Sequence, residues 1–171
     1  MNELDFKKML EDNKLLQFQI DFYLKNKVIS AQNPVESEIK GHIEKAEHNL
    51  NFVKDSSGKY SDWAIVGCYY AAYHIALALI LSKGYSSKSH DATLCLLIKY
   101  YYRRELSKED LELLNLIYLD NQDILFYVES KLEREKASYS SQIAFDKKKV
   151  SDLQLKTILF VNRCKEILKD Q

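Results

Sequence analysis

The side chains best equipped for chemistry in this 171-residue chain are its four histidines, its tyrosines and a few arginines. Imidazole is the group that both takes and gives a proton near neutral pH, so the histidines come first. Glu38 with His42, and Glu44 with His48, stand four apart and put two metal ligands on one helix face. The same spacing serves solvated ion pairs. With no cysteine-rich or His-Glu-x-x-His set to complete a tighter site, no metal is expected. His74 interrupts an apolar run, the setting of a hydrogen-bonded core residue, and His90 follows a capping serine, the setting of an exposed one. Position alone gives neither a catalytic role. Tyr100-Tyr101-Tyr102 runs into Arg103-Arg104, which sets stacking surfaces beside guanidinium groups as in binders of single-stranded RNA. The competing account packs the tyrosines inward and places the arginines against the negative end of a helix. Lys147-Lys148-Lys149 reads as a solvated loop. Glycine-rich phosphate loops, Gly-x-Ser-x-Gly elbows and Cys-x-x-Cys pairs are absent, and no cofactor is expected.

These residues are carried by helices. Four glycines and one proline are too few for an all-β chain. Leu4 to Lys25 contains neither and reads as one helix. Asn33-Pro34 supplies a cap and a first helical residue for an amphipathic helix through Ile39, Ile43, Ala46, Leu50 and Val53, ending near Asp55 to Lys59. Ser61 is placed to cap the next helix and Gly84 to end it. Between Asp62 and Lys83 this helix carries no charge, and about 20 apolar residues is also the length of a membrane span. Its polar-tipped aromatics, Tyr69, Tyr70 and Tyr73, sit with His74 at mid-span rather than at the two ends, so it is read as a core helix surrounded by others. Gly67, Ala71, His74 and Ala78 share one face, a seam of small residues that admits a close neighbour. Ser89 caps a helix through His90 and Tyr101, Ser107 with Asp110 forms a capping box for a long helix reaching Leu132, and Ser151 with Gln154 opens a terminal helix.

Hydrophobic residues make up 46% and charged residues 29%, a composition that folds. Lys+Arg and Asp+Glu balance at 25 each, so no global basic field draws the chain to nucleic acid and any RNA contact is local. Cys68, Cys95 and Cys164 form no close pair and are read as free thiols of a reducing cytoplasm. No targeting segment is visible near Met1 to Lys8.

The stretch from Asp62 to Leu81, with its Tyr70-Ala71-x-x-His74 centre, followed by Lys83-Gly84 and Lys88-Ser89-His90, resembles the HEPN superfamily (higher eukaryotes and prokaryotes nucleotide-binding). The likeness runs from about Val35 to Leu168 and is to the small stand-alone prokaryotic members. It implies an all-α, up-and-down bundle of four to five core helices over residues 34–171, with residues 1–33 an added N-terminal helical extension. It also implies a homodimer, often partnered by a minimal nucleotidyltransferase in toxin–antitoxin-like systems. Active members carry Arg, four to six residues, then His near a helix end, and cleave RNA without metal. The matching place here is Arg134-Glu135-Lys136-Ala137-Ser138-Tyr139, with tyrosine where the histidine stands. A phenol stays protonated near neutral pH and only donates, so cleavage is expected to be lost while Arg134 still holds a phosphate in two hydrogen bonds. Without the resemblance, Arg134 reads as an ion-pair partner of Glu135 or Glu129. The resulting expectation is a cytoplasmic, non-membrane module that binds RNA, a nucleotide or a nucleotidyltransferase through Arg134 and Tyr139, with Arg103, Arg104 and His90 as further binding residues. The alternatives are an endoribonuclease toxin in which His90 or another group replaces the histidine, and a structural helical adaptor.

Overall fold

The computed structural model describes residues 3–118 and 147–170. The charge-free helix lies at the centre, as its composition requires. It is α4 (Ser61–Ser82), with Ala64, Ile65, Cys68, Ala71, Ala72, Ile75, Ala76, Ala78, Leu79 and Ile80 all at or near zero exposure. Buried residues cover all of it but one stripe, where Trp63 and Tyr70 are exposed and Val66, Tyr73 and Leu77 half-buried, so neighbours must cover the other sides. α3 (Glu36–Ser56) and α7 (Lys147–Lys169) supply most of that cover, and α5 (His90–Tyr101) adds more. Among the described residues, α4 is the one helix long and apolar enough to cross a membrane, and most of its apolar window is buried by the other helices.

The small-residue seam determines how close α3 comes. A Cβ built on Gly67 would lie 2.5 Å from the Val53 methyl and 3.1 Å from the Phe52 ring, so only glycine fits there. α7 is tied to the bundle by ion pairs from Lys165 to Glu47 on α3 and from Arg163 to Asp110 on α6 (108–118). α6 opens on the expected capping box: Ser107 Oγ accepts from the Asp110 amide at 3.2 Å, and the Asp110 carboxylate accepts from the Ser107 amide at 2.9 Å. The remainder of the long helix expected up to Leu132 lies outside the described residues. The chain is an all-helical bundle with a single small sheet among the described residues.

The boundaries differ from the sequence reading in physically instructive ways. The N-terminal helix is two, α1 (Glu3–Glu11) and α2 (Asn13–Lys25), because the Asp12 carboxylate accepts from the Lys14 and Leu15 amides and starts a second helix. α2 ends with Lys27 at φ 56, its amide donating to the Leu24 carbonyl and that of Val28 to the Tyr23 carbonyl, a Schellman closure. A two-stranded sheet then pairs β1 (Ile29–Ala31) antiparallel with β2 (Tyr85–Ser87), Ser30 opposite Ser86. Gln32 extends the pairing by donating to the Gly84 carbonyl at 2.9 Å. That bond holds the chain in the strand, so α3 begins at Glu36 rather than at Pro34. Gly84 has φ 79 and would place a Cβ 3.0 Å from the Gln32 carbonyl oxygen, so it both ends the helix and admits the strand. Ser61 is the first residue of α4 rather than its cap, and Ser151 lies inside α7, whose first turn is Lys147-Lys148-Lys149 rather than a loop.

Gly67→Ala gains helix propensity of up to about 1 kcal/mol but forces the stiff, buried Val53 aside, and is expected to destabilise the fold by about 1 to 2 kcal/mol net. Chemical denaturation measures this. Adding Val53→Ala relieves the clash, so the two changes together should cost less than their sum.

Candidate functional site

Among the described residues, three groups of chemically able side chains are distributed around α4. The first surrounds His90. Ser89 caps α5 as expected, its Oγ accepting from the Ala92 amide at 3.2 Å, and so places His90 on the first turn. The imidazole is not exposed, however: it keeps 4% of its surface and stacks on the Tyr118 ring at 4.0 Å with 6° between planes. Tyr69 and Tyr73 close over it, each with its ring centroid 6.1 Å away. Neither His90 nitrogen has a hydrogen-bond partner among the described residues. Burial pushes this imidazole down to about 3, so it stays neutral across the physiological range and behaves as an aromatic disc. Burial also raises the Tyr69 and Tyr73 hydroxyls. The expectation that His90 is exposed is therefore corrected: a position just after a cap says nothing about what α4 and α6 lay over it.

The second group is His74 with His42. Their Nδ1 atoms are 3.0 Å apart, so one ring donates and the other accepts. His74 thus satisfies a neighbouring helix from the small-residue seam. Burial, then the adjoining His42 and Lys45, push His74 down to about 4; burial and Lys45 also lower His42, against Glu38. Two imidazoles sharing one proton in this way cannot both be charged. His42 is turned to His74 rather than acting with Glu38 as a metal pair, and among the described residues no three His, Cys, Asp or Glu side chains converge as a metal site. The two histidines are equally far in sequence from Gly58 in the loop joining their helices. A straight helical hairpin brings such positions level, and this was the available signal for the pairing.

The third group is the tyrosine–arginine run, which the two accounts of it divide. Tyr101 is buried, its hydroxyl donating to the Leu79 carbonyl at 2.7 Å and lying 3.1 Å from Ser82 Oγ. Tyr100 packs on Tyr85, ring centroids 5.5 Å apart. Tyr102 is half-buried, with the Arg103 guanidinium 5.1 Å from its ring centroid. Arg103 and Arg104 are exposed. They follow the far end of α5 from His90, about 18 Å along a helix of this length, so the fold does not bring His90 and the arginines together. Arg134, Glu135 and Tyr139 lie outside the described residues.

The three cysteines are free and buried, and burial raises the Cys68 thiol to about 11 and Cys95 to about 12, which leaves them without thiolate character.

A helical bundle centred on one apolar helix, with Tyr70, Tyr73 and His74 on that helix and Ser89-His90 opening the next, defines the class of protein. Among known families, the HEPN domain matches residues 39–167, about three quarters of the chain. The chain belongs to the HEPN domain family, and its function is related to RNA or nucleotides at the level the family defines. No curated protein matches it.

The enclosed histidines make stability depend on pH. The unfolded chain takes up protons on these imidazoles near 6.5, while the folded chain does so only at about 3 for His90 and about 4 for His74. The stabilisation is therefore complete above pH 6.5 and is lost progressively on acidification toward those values. The melting temperature is expected to fall over that window. His90→Phe keeps the stack and removes two unpartnered nitrogens, so it should leave stability at pH 7 unchanged or higher and flatten the acid limb. A loss of more than about 2 kcal/mol at pH 7 would mean that those nitrogens are hydrogen-bonded after all.

Proposed function

We propose that this HEPN-family chain is a cytoplasmic homodimeric module that binds RNA, a nucleotide or a minimal nucleotidyltransferase through the surface around Arg134 and Tyr139, and does not cleave RNA efficiently. The enclosure of His90 carries the non-cleaving part. With tyrosine at position 139, metal-independent cleavage needs a substitute proton carrier, and His90 was the foremost one. An imidazole with 4% exposure and an affinity for protons lowered to about 3 neither reaches a ribose hydroxyl nor alternates between charge states at pH 7. His42 and His74 are committed to each other. Arg134 retains what binding needs, a guanidinium able to hold a phosphate in two hydrogen bonds.

Dimerisation is supported by apolar surface the bundle does not hide. Leu155 and Leu159 stand four apart on α7, both 58% exposed, and Trp63 on α4 is 53% exposed. Faces of this kind serve self-association. Light scattering at micromolar concentration is expected to give twice the 20.0 kDa chain mass; a clean monomer mass counts against the dimer.

The test of function is single-stranded RNA with chelator present. Wild type should bind without rapid cleavage, and Arg134→Ala should weaken binding by about 10- to 100-fold, the value of hydrogen bonds to a charged group. Tyr139→Phe should change little. Tyr139→His restores an imidazole and is the gain-of-function variant, since a positioned acid or base contributes about 10² to 10⁴ in rate. Rapid cleavage by wild type, abolished in Arg134→Ala, replaces this reading with the endoribonuclease; no binding to RNA, nucleotide or nucleotidyltransferase leaves the adaptor.

A further inference from the structure

The N-terminal helices α1 and α2 lie outside the residues the family accounts for, yet they pack on α5 and close a cavity of about 370 Å³ against its C-terminal end. The cavity is lined mainly by the polar groups of Asn13, Gln17, Lys99, Tyr102, Arg103 and Arg104, with Leu10, Leu16 and Ile98 almost wholly buried beside them. Three cations thus share one small cavity, and no carboxylate lines it. The nearby Asp12 carboxylate is already engaged with the Lys14 and Leu15 amides, and neither arginine has a carboxylate partner among the described residues. Offsetting the end of α5 does not account for this, because a helix terminus carries only about half a charge.

The loop presenting the arginines is built rather than slack. The Tyr101 carbonyl accepts from the amides of Arg104, Glu105 and Leu106 at 3.0 to 3.1 Å, and the Arg103 amide donates to the Leu106 carbonyl at 3.2 Å. The Tyr101 ring itself is locked into the core by its hydroxyl bond to Leu79. Within this loop Arg103 has φ 62, a left-handed conformation that residues other than glycine rarely adopt. Such a conformation at a surface arginine, held by four backbone bonds, aims the guanidinium over the Tyr102 ring. Across the seam, Gln17 of α2 accepts from the Lys99 ammonium at 2.9 Å and keeps it at the rim.

We propose that this seam is a binding site for a nucleoside 5′-phosphate, the free nucleotide and the 5′ end of an RNA strand presenting the same chemistry. A terminal phosphate carries close to two negative charges and three acceptor oxygens, which suits two guanidiniums and an ammonium better than the single charge of an internal phosphodiester does. The Tyr102 ring offers a stacking surface to a planar base, and the volume lies within the usual range for a small-ligand site. The site gives the N-terminal extension a purpose, and its argument uses neither Arg134 nor Tyr139.

The experiment measures binding to the full chain at fixed ionic strength, comparing a short RNA bearing a 5′-phosphate with its 5′-hydroxyl form, and adenosine 5′-monophosphate with adenosine. Wild type is expected to prefer the phosphorylated member of at least one pair by about tenfold or more. Preference within the RNA pair alone assigns the strand end; preference for the monophosphate assigns the nucleotide as well. Arg103→Gly keeps the left-handed backbone without strain, so it should melt no lower than wild type while losing the preference. Arg104→Gln should reduce it. Lys59→Gln, about 30 Å away at the other end of α4, should not. Absence of any 5′-phosphate preference in wild type, or its persistence in both arginine variants, overturns the proposal. Loss of 5′-hydroxyl RNA binding in Arg134→Ala concerns the proposed function alone.

Discussion

The twenty residues of α4 from Trp63 to Ser82 carry no charge, and all but a stripe through Trp63, Val66, Tyr70, Tyr73 and Leu77 must be kept from water. The other elements are arranged around that requirement. α3 comes close because Gly67 has no Cβ, α7 is tied across the bundle through Lys165 and Arg163, and α5 packs beside the C-terminal half, from Tyr69 and Tyr73 to Leu79. Even the polar bonds at the C-terminal end of the helix serve it: the Leu79 carbonyl, one of the last carbonyls of α4, accepts from both the Tyr101 and the Ser82 hydroxyls.

A core of this kind limits where chemistry can occur. Imidazoles placed against α4 lose their charge, since taking the proton would mean holding a cation among apolar neighbours. His74 finds a second imidazole and His90 a tyrosine face, and both remain neutral where a catalytic histidine would need to titrate. The charged groups able to meet phosphate are displaced to the ends of helices, where water and neighbouring elements share the cost of their charge. Arg103 and Arg104 follow the end of α5 for that reason, and the same loop that ends the helix points them outward.

The N-terminal helices are fastened by a small sheet that joins residues distant in sequence. Ile29 to Ala31 pairs with Tyr85 to Ser87, and Gln32 and Lys88 extend the pairing at its two ends, Gln32 donating to the Gly84 carbonyl and Lys88 to that of Val28. This clamps α2 onto α5, and Cys95 on α5 meets Met9 on α1 at 3.6 Å. A sheet of two short strands has little stability alone; here it is supported by the helices at each end, and in return it sets the position of α2 against Lys99.

Much of the helical architecture was legible because its signals are local. The three- and four-residue steps of α3, the uncharged run of α4, the Ser89 cap and the Ser107–Asp110 box each depend on residues within one or two turns. Gly84 was legible as a helix end for the same reason, and the resemblance to the HEPN family added the class of function. Asp12 stands in the polar run Glu11-Asp12-Asn13-Lys14, the one local sign of a cap, but with neither glycine nor proline from Leu4 to Lys25 the segment still reads as one helix. The encounters between distant segments were not legible: the sheet, the pairing of His42 with His74, the burial of His90 under Tyr118, and the meeting of Gln17 with Lys99. Periodicity states which face of a helix avoids water but not which neighbour covers it, so exposure and proton affinity, which depend on the cover, were decided only when the helices packed.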